Sequence, residues 1–442
     1  MFTKNRNARN KVYAAAAVLF VTVLLAGCSK SGSNPVNSQQ ASTVQGQVGG
    51  QRGLAKLAKY SSANGGIQGA TVILAQIQAD GSLKTVSTAS AQTDVNGRFS
   101  VNTDLDGVSN LVVVATQGST RWETVVSAQV KHGMTVDCQP LTDQTTVQAQ
   151  TYAKIVADGK SSEVSTADLQ LYINASVAAN VMGNANAIAQ LAGSLEAEAE
   201  ARASAFAQFN VSQTQLQTAW ASRMQAQIAF ESSLYSAAGD SAADNLALQT
   251  YYAGSIGAYV AAGIPLVVIA KVEQASCAAL VNFSAAMSSN AEFSVQQSAA
   301  LIRAVLIGQA LSTEFTTGGA TQAEITSVGN ANNTLFASLQ VALTSREIIA
   351  AFVNYHDSIL TQLKAMVGAN GSAVGTMDSN ISGGARAVLQ TALSTTTTTG
   401  AIVQAYMTFY GSVSTAMQGM SGMSSAQLDA SAQILMLINS NM

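Results

Sequence analysis

The stretch Thr93-Asp94-Val95-Asn96-Gly97-Arg98-Phe99-Ser100-Val101 decides how the first part of this chain folds. Its Asn-Gly pair tolerates the positive φ angles that a tight turn needs. After the turn, Phe99 and Val101 alternate with Arg98 and Ser100, so apolar and polar side chains point to opposite faces. The stretch therefore predicts a tight turn that leads into a half-buried β-strand.

The same β-rich texture extends on both sides of this turn, from residue 43 to about residue 142. Trp122, Thr124 and Val126 share one strand face, opposite Arg121 and Glu123. About seven strands in 100 residues predict a β-sandwich. The predicted strands are 43–48, 70–77, 84–90, 98–102, 110–116, 121–130 and 134–139.

Four motifs of this region follow one another in a recognisable order: Val44-x-Gly46-x-Val48, Ile67-x-Gly69-Ala70-x-Val72-x-Leu74, Thr93-Asp94-x-x-Gly97-x-Phe99 and Leu111-Val112-Val113-Val114. The order resembles that of a carboxypeptidase regulatory-like domain, over under a quarter of the chain, with a long insert at 49–66. The resemblance implies a transthyretin-like (prealbumin-like) sandwich. It also implies a non-catalytic spacer or binding module, and no peptidase domain is recognised after it.

The N-terminus looks like a targeting signal. Residues 1–27 combine a basic start with an apolar run from Val12 to Leu25, which is typical of a secretory signal and short for a membrane span. The run ends in Leu25-Ala26-Gly27-Cys28, which resembles a bacterial lipobox and implies lipidation of Cys28. Residues 28–42 are predicted to be a flexible tether. Ser29, rather than an aspartate, follows the cysteine, which resembles the pattern of Gram-negative lipoproteins that go to the outer membrane. The alternatives are a plain signal peptide or a membrane helix with an incidental cysteine.

The remainder of the chain is predicted to be a mostly α-helical bundle at 165–442, after a linker at 143–164. Apolar residues recur at helical spacing, and capping-box patterns begin at Ser165, Ser212, Ser294, Thr321 and Thr344. The predicted helices are 166–208 (broken near Gly183), 212–237, 241–262, 266–289, 294–314, 321–339, 344–368, 382–394, 400–418 and 425–440. The fold class is thus a multidomain protein: an all-β sandwich followed by helices.

Charge and composition exclude several functions. The chain has 21 basic and 24 acidic side chains, and removal of the signal leaves 17 against 24, a net charge of −7. No basic stripe is present for nucleic acid. Asp158-Gly159-Lys160-Ser161 resembles the end of a phosphate-binding loop, but Lys154 stands where that motif needs glycine, so we expect no nucleotide site. With two histidines, no catalytic triad is indicated and no cofactor is expected.

A few candidate sites remain. Met417, Met420 and Met423 have a spacing used by Cu(I) sites, although core packing is the simpler interpretation. Cys138 and Cys277 are candidates for a disulfide, Cys138 being otherwise a buried small hydrophobe.

For three sets of charged or titratable residues, the sequence favours a structural role over a catalytic or metal-binding one. His356 lies on the stripe of Ile349, Phe352, Val353, Leu360 and Leu363, which predicts a hydrogen-bonded core histidine that the adjacent Asp357 does not orient. Glu196, Glu198 and Glu200, with Arg202 four residues after Glu198, predict a solvated helix face. Asp104-x-Asp106-Gly107 fails the EF-hand pattern, because Ala115 stands at its twelfth position.

The segment 251–270 is apolar and free of charge, and it is long enough to span a bilayer. Gly254, Gly257, Gly263 and Pro265 instead favour a bent, buried helix or helical hairpin. We expect a non-catalytic, lipid-anchored protein of the bacterial outer membrane that binds, adheres or serves as a scaffold for an envelope protein or extracellular ligand. The alternative is a membrane-active, pore-former-like helical protein that uses segment 251–270.

Overall fold

The computed structural model describes residues 41–49, 66–237, 241–396 and 398–441, apart from the side chains of residues 241 and 245. The predicted signal peptide 1–27, the lipobox with Cys28, the tether up to residue 40 and residues 50–65 of the insert lie outside the described residues. Within the described part, strands in two sheets are followed by helices, which confirms the predicted fold class.

The first region is a β-sandwich whose two sheets have the strand orders β5-β1-β8 and β3-β2-β6-β7, with β4 also paired to β2. Neighbouring strands are antiparallel except β1 and β8, which are parallel. The strands are β1 (Ser42–Gln47), β2 (Thr71–Ile77), β3 (Leu83–Thr85), β4 (Ala91–Gln92), β5 (Arg98–Thr103), β6 (Leu111–Gln117), β7 (Thr120–Val126) and β8 (Thr135–Asp137).

The turn before β5 forms as its sequence predicts. Gly97 has φ 73°, a conformation that favours glycine. The Asp94 carboxylate accepts hydrogen bonds of 2.8 Å from the backbone N–H groups of Asn96 and Arg98. This local network sets the register in which Phe99 and Val101 point into the sandwich, where both are buried.

Gly46, part of the first motif, has a packing role. A Cβ atom at this position would lie 2.5 Å from Cys138 Sγ and 2.7 Å from the Phe99 ring. Because real side chains do not approach so closely, only glycine lets β1 pass over these two core residues.

The second region is helical from residue 143 onward, and most of its helices lie close to their predicted ranges. They are α1 (Asp143–Ala157), α2 (Thr166–Tyr172), α3 (Ala175–Val181), α4 (Ala185–Gln208), α5 (Gln213–Ala237), α6 (Ser241–Ala261), α7 (Leu266–Ser284), α8 (Ser289–Gly318), α9 (Gln322–Val341), α10 (Ser345–Met366), α11 (Gly371–Gly383), α12 (Ala385–Thr395), α13 (Thr399–Gln418) and α14 (Ser425–Asn439).

Capping explains where several helices begin. The reciprocal hydrogen bonds predicted at Ser165, Ser212, Thr321 and Thr344 are present. The capping box predicted at Ser294 is wrong, because α8 begins earlier in the chain, with Ser288 as its cap. Ser294 lies inside the helix and donates to the carbonyl of Asn290.

The linker predicted at 143–164 is also wrong over most of its length, because α1 occupies 143–157. Thr142 caps this helix, and Val147 and Ile155 are fully buried. The helix packs on β7, where Thr146 Oγ1 accepts a hydrogen bond from the backbone N–H of Glu123.

The sandwich and the helices are joined by a shared core. On β6, Val113 points into the sandwich interior, whereas its neighbour Val112 points into the helical core, and neither is exposed to solvent. Both faces of this sheet are therefore buried, one by the other sheet and one by helices. The boundary between the two regions is a packed interface.

Candidate functional site

A cleft of about 210 Å³ opens along this interface. One wall is formed by Ser109 and Asn110, just before β6, and by residues 125–129, at the end of β7 and just after it. The facing wall consists of Tyr152 from α1, Ser165 and Thr166 at the start of α2, and residues of α5. Clefts between packed units are frequent binding sites, so this one is the candidate functional site.

Helical spacing brings the α5 residues of the site together. Trp220 and Met224 are one helical turn apart and both line the cleft. Gln227 and Glu231 continue the same face in the next two turns, and both are fully buried. The helix therefore presents an aromatic ring and a thioether at the cleft, followed by polar groups in the interior.

A buried ion cluster lies directly behind the start of α2. Asp168 Oδ1 is 3.0 Å from Arg202 Nη1 and 2.8 Å from Arg223 Nη2, and all three side chains are almost fully buried. Burial acts to raise the pKa of Asp168, but the two guanidinium groups outweigh it and hold that pKa well below its usual range. The Asp168 carboxylate is therefore ionised inside the protein, and the two guanidinium groups compensate its negative charge.

The cluster continues into α4. Glu198 Oε1 accepts hydrogen bonds of 2.9 Å from Arg202 and 3.0 Å from the Tyr172 hydroxyl, which also lies 3.2 Å from Glu273. Burial raises the pKa of Glu198 to about 7. Its second carboxylate oxygen is buried and makes no hydrogen bond to any described residue.

A separate buried carboxyl group, that of Glu231, contacts the lining of the cleft. Ser127 Oγ lies 2.6 Å from Glu231 Oε1 and 3.0 Å from Thr166 Oγ1. Gln227 donates to the same Glu231 oxygen at 3.0 Å. Burial raises the pKa of Glu231 to about 7. Ser127 and Thr166 line the cleft, so the buried Glu231 carboxyl orients the Ser127 hydroxyl, which in turn is hydrogen-bonded to the Thr166 hydroxyl.

This arrangement is suited to holding a ligand. The hydroxyl of Ser127 is paired with a carboxyl group, whereas a serine nucleophile ordinarily needs an adjacent strong base such as histidine. His132 lies in the turn before β8 and His356 lies on α10, away from the cleft. The oriented hydroxyls, the amide of Asn110 and the ring of Trp220 form a surface that can bind polar groups.

Sequence reasoning missed this site for an identifiable reason. Glu198 and Arg202 do pair at i, i+4 as predicted, but they are buried, so the predicted solvated face is wrong for them. Glu196 is half-buried and Glu200 exposed, because residues two apart point to different sides of a helix. The signal in the sequence that could have indicated the site is the face of α5, where helical spacing puts Trp220, Arg223 and Glu231 on one side.

His356 is a buried core histidine, as predicted, and its hydrogen-bond partners are Asp378 on α11 and Asp357 on its own helix. Its Nε2 is 2.9 Å from Asp378 on α11, and Asn439 on α14 donates to the same Asp378 oxygen. The prediction about Asp357 is wrong, because its carboxylate lies 3.1 Å from His356 Nδ1. Burial acts to lower the His356 pKa, but the two carboxylates outweigh it and raise that pKa.

The apolar stripe around His356 is shifted from the predicted one. Ile349 is 55% exposed and Val353 is 39% exposed. The buried face instead includes Ile348, Phe352, Tyr355, His356, Ile359 and Leu363. The two faces differ by a rotation of about one residue around the helix axis. A pattern with a 3.6-residue period does not fix the buried face more closely than this.

The candidate disulfide does not form. Cys138 belongs to the sandwich core, whereas Cys277 lies on α7 in the helical core. Burial raises the pKa of Cys277 well above its usual value, which keeps this thiol protonated.

The Met417, Met420 and Met423 motif packs as hydrophobic filler. Met417 is buried near the end of α13, and the other two pack on the helical core from the connection to α14. Among the residues that the structure describes, no group of three or more His, Cys, Asp or Glu side chains could hold a metal ion.

Two weak sequence motifs have structural roles. Asp158-Gly159-Lys160-Ser161 forms the turn after α1, with Gly159 at φ 75°, and Lys160 pairs with Glu163 and Glu200. Asp106 accepts a hydrogen bond from the backbone N–H of His132, which links two loops of the sandwich. Ala115 lies on β6, outside these loops.

Segment 251–270 is divided between two helices. The chain leaves α6 after Ala261, turns at Gly263 (φ 80°), and enters α7 after Pro265. In the described part of the chain, α7 is the one helix that is long and apolar enough to cross a membrane, but most of it is buried and it contains Lys271 and Glu273. Insertion of this segment into a bilayer stays a prediction.

No protein-family model, curated protein or solved structure matches this chain. The lipobox and the regulatory-like sandwich rest on the residues quoted for them.

Proposed function

We propose that this chain is a non-catalytic, lipid-anchored protein of the bacterial cell envelope, and that it binds a ligand in the cleft between its sandwich and its helices. The cleft carries the proposal, because it combines hydroxyl, amide and aromatic groups at the junction of two units that share one core. Two buried carboxyl groups behind the cleft hold two of its hydroxyl groups in place: Glu231 holds that of Ser127, and Asp168 holds that of Ser165. A site built this way binds without reorganising.

The lipobox supports the anchoring half of the proposal. Lipidation of Cys28 would place acyl chains one short tether before the first strand, β1, which begins at Ser42. Even fully extended, that tether reaches about 50 Å at most. The sandwich and helices would therefore stay near the membrane surface, as a scaffold or binding protein needs.

Replacement of Cys28 tests the anchor. In cells fed labelled palmitate, we expect Cys28→Ser to abolish labelling and to release the protein from the membrane fraction, because two or three acyl chains supply the stable attachment. Cys138→Ala is the matched control, since this cysteine lies in the sandwich core, and it should stay labelled and membrane-bound. Continued labelling and retention of Cys28→Ser would contradict the proposal.

A further inference from the structure

The cleft contains polar groups that the protein leaves unused. The Asn110 side-chain oxygen accepts a hydrogen bond from the Tyr152 hydroxyl at 3.3 Å. Its amide nitrogen, like the indole N–H of Trp220, makes no hydrogen bond to any residue in the described part of the chain. Half-buried donors without a protein partner are groups that a ligand can satisfy.

The cleft is also electrically neutral. None of its thirteen lining residues has a charged side chain. Behind them, Asp168 is paired with both Arg202 and Arg223, and Glu198 is paired with Arg202. The raised pKa of Glu231, about 7, reduces its charge further. An ionic ligand would lose its hydration here without gaining a counter-charge, so the cleft favours a neutral one.

The shape of the cleft narrows the choice. Its volume of about 210 Å³ is smaller than the roughly 300–1,000 Å³ of pockets for drug-sized ligands, which suits a ligand of about one ring. Trp220 and Met224 supply an apolar side, and Ser127, Thr166 and Asn110 supply hydroxyl and amide groups. A pyranose has the complementary surfaces: an apolar C–H face that can stack on an indole, and an equatorial belt of hydroxyl groups.

We infer that this cleft binds one ring of a neutral sugar, with the pyranose face on Trp220 and its hydroxyl groups on Asn110, Ser127 and Thr166. The inference rests on the proposed function, because it names the ligand class of the proposed binding site. The ring is either a free monosaccharide or the end of an envelope glycan, since both present the same chemistry.

Tryptophan fluorescence and calorimetry test this inference. The chain has two tryptophans, Trp122 in the sandwich and Trp220 in the cleft. Full-length protein in a detergent without a sugar headgroup would be titrated with glucose, galactose, mannose and N-acetylglucosamine. We expect at least one to bind and to change the fluorescence of Trp122→Phe, in which Trp220 is the reporter. A disaccharide that binds more tightly than its monosaccharide would identify a glycan end as the source.

Three comparisons locate the ring. We expect Trp220→Ala to weaken binding at least tenfold, whereas Trp122→Phe, the matched control, should bind within twofold of the unchanged protein. Asn110 has φ 56°, a conformation that aspartate also tolerates. Asn110→Asp, which loses the amide donor, should therefore keep the fold, checked by circular dichroism, and weaken binding about tenfold. Glucuronate, the charged analogue of glucose, should bind at least tenfold more weakly than glucose.

Three results would overturn the inference: no heat or fluorescence change with any of these sugars at 10 mM, unchanged binding after Trp220→Ala, or tighter binding of glucuronate. Labelling and fractionation of Cys28→Ser address the anchor alone. A failure of the anchor and a failure of sugar binding are therefore seen in separate measurements.

Discussion

Between the two sheets of the sandwich, the buried side chains are apolar or carry hydroxyl groups, as at Val44, Val72, Thr93 and Thr124. The helical region differs. Residues 161–442 contain 7 basic and 16 acidic side chains, and at least ten of these 23 are buried. The region with few charges therefore places many of them inside.

This difference separates two ways of fixing a structure. The sandwich is fixed by strand pairing and by alternation of side chains across each sheet. Alanine-rich helices have interchangeable faces, and a buried charge pair can restrict them to one arrangement. Asp168, Arg202 and Glu198 connect α2 and α4 in this manner, and Arg223 adds α5. The same restriction shapes the cleft in front of them.

Removal of one buried cation should have the largest effect. Arg202→Met leaves Asp168 with one guanidinium group instead of two and Glu198 with none, so we expect the free energy of unfolding to fall by about 3–5 kcal/mol. Urea denaturation followed by circular dichroism measures the loss.

The matched control for this prediction is an exposed pair with the same i, i+4 spacing, Lys154 and Asp158, 2.6 Å apart. Lys154→Met should cost less than about 1 kcal/mol. Equal losses for Arg202→Met and Lys154→Met would mean that the buried cluster contributes no more to stability than an exposed ion pair does.

The Glu231 carboxyl should have a smaller effect, of opposite sign. Its pKa of about 7 lies above its ordinary 4.5, so the folded state binds more protons than the unfolded state between these values. The free energy of unfolding therefore falls as pH rises from 4.5 through 7. Glu231→Gln removes this loss. We therefore expect the free energy of unfolding of the variant, compared with that of the unchanged protein, to be up to about 3 kcal/mol higher at pH 8 than at pH 4.5.

Denaturation at several pH values measures this difference, with Glu200→Gln as the control because Glu200 is exposed. Glu200→Gln should follow the unchanged protein across the range. A Glu231→Gln difference that stays constant with pH would show that Glu231 titrates as an ordinary surface carboxyl.

The sequence predicted the local features well. The Asn96-Gly97 turn, the cap of α2 at Ser165 and the break at Pro265 are decided by neighbours in the chain, and all three are as expected. The pairing of Glu198 with Arg202 was also local, and it was predicted.

What failed depended on residues far apart in sequence. Burial of that same pair is decided by Asp168 and Tyr172, which lie on a different helix, α2, and no periodicity reports it. The helix at 143–157 was missed because its partner is β7, whose second face looked solvated. The cleft needs the loop before β6, the end of β7, α1, α2 and α5 together, so it could not be derived from any single segment.

The sheet between the two regions provides the finest comparison, because Val112 and Val113 are adjacent, equally buried and identical in type. Val112 faces the helices and Val113 faces the sandwich interior. If the regions form one packed body, Val112→Ala and Val113→Ala should each lower the free energy of unfolding by about 2 kcal/mol, through lost burial and a small cavity. Denaturation should also show a single transition for strands and helices.

If the sandwich were only loosely attached, Val112→Ala would cost no more than a surface substitution, less than about 0.5 kcal/mol. Two transitions would then separate, whereas Val113→Ala would keep its full cost. The ratio of the two losses therefore measures how strongly the interface that carries the cleft is coupled to the core of the sandwich.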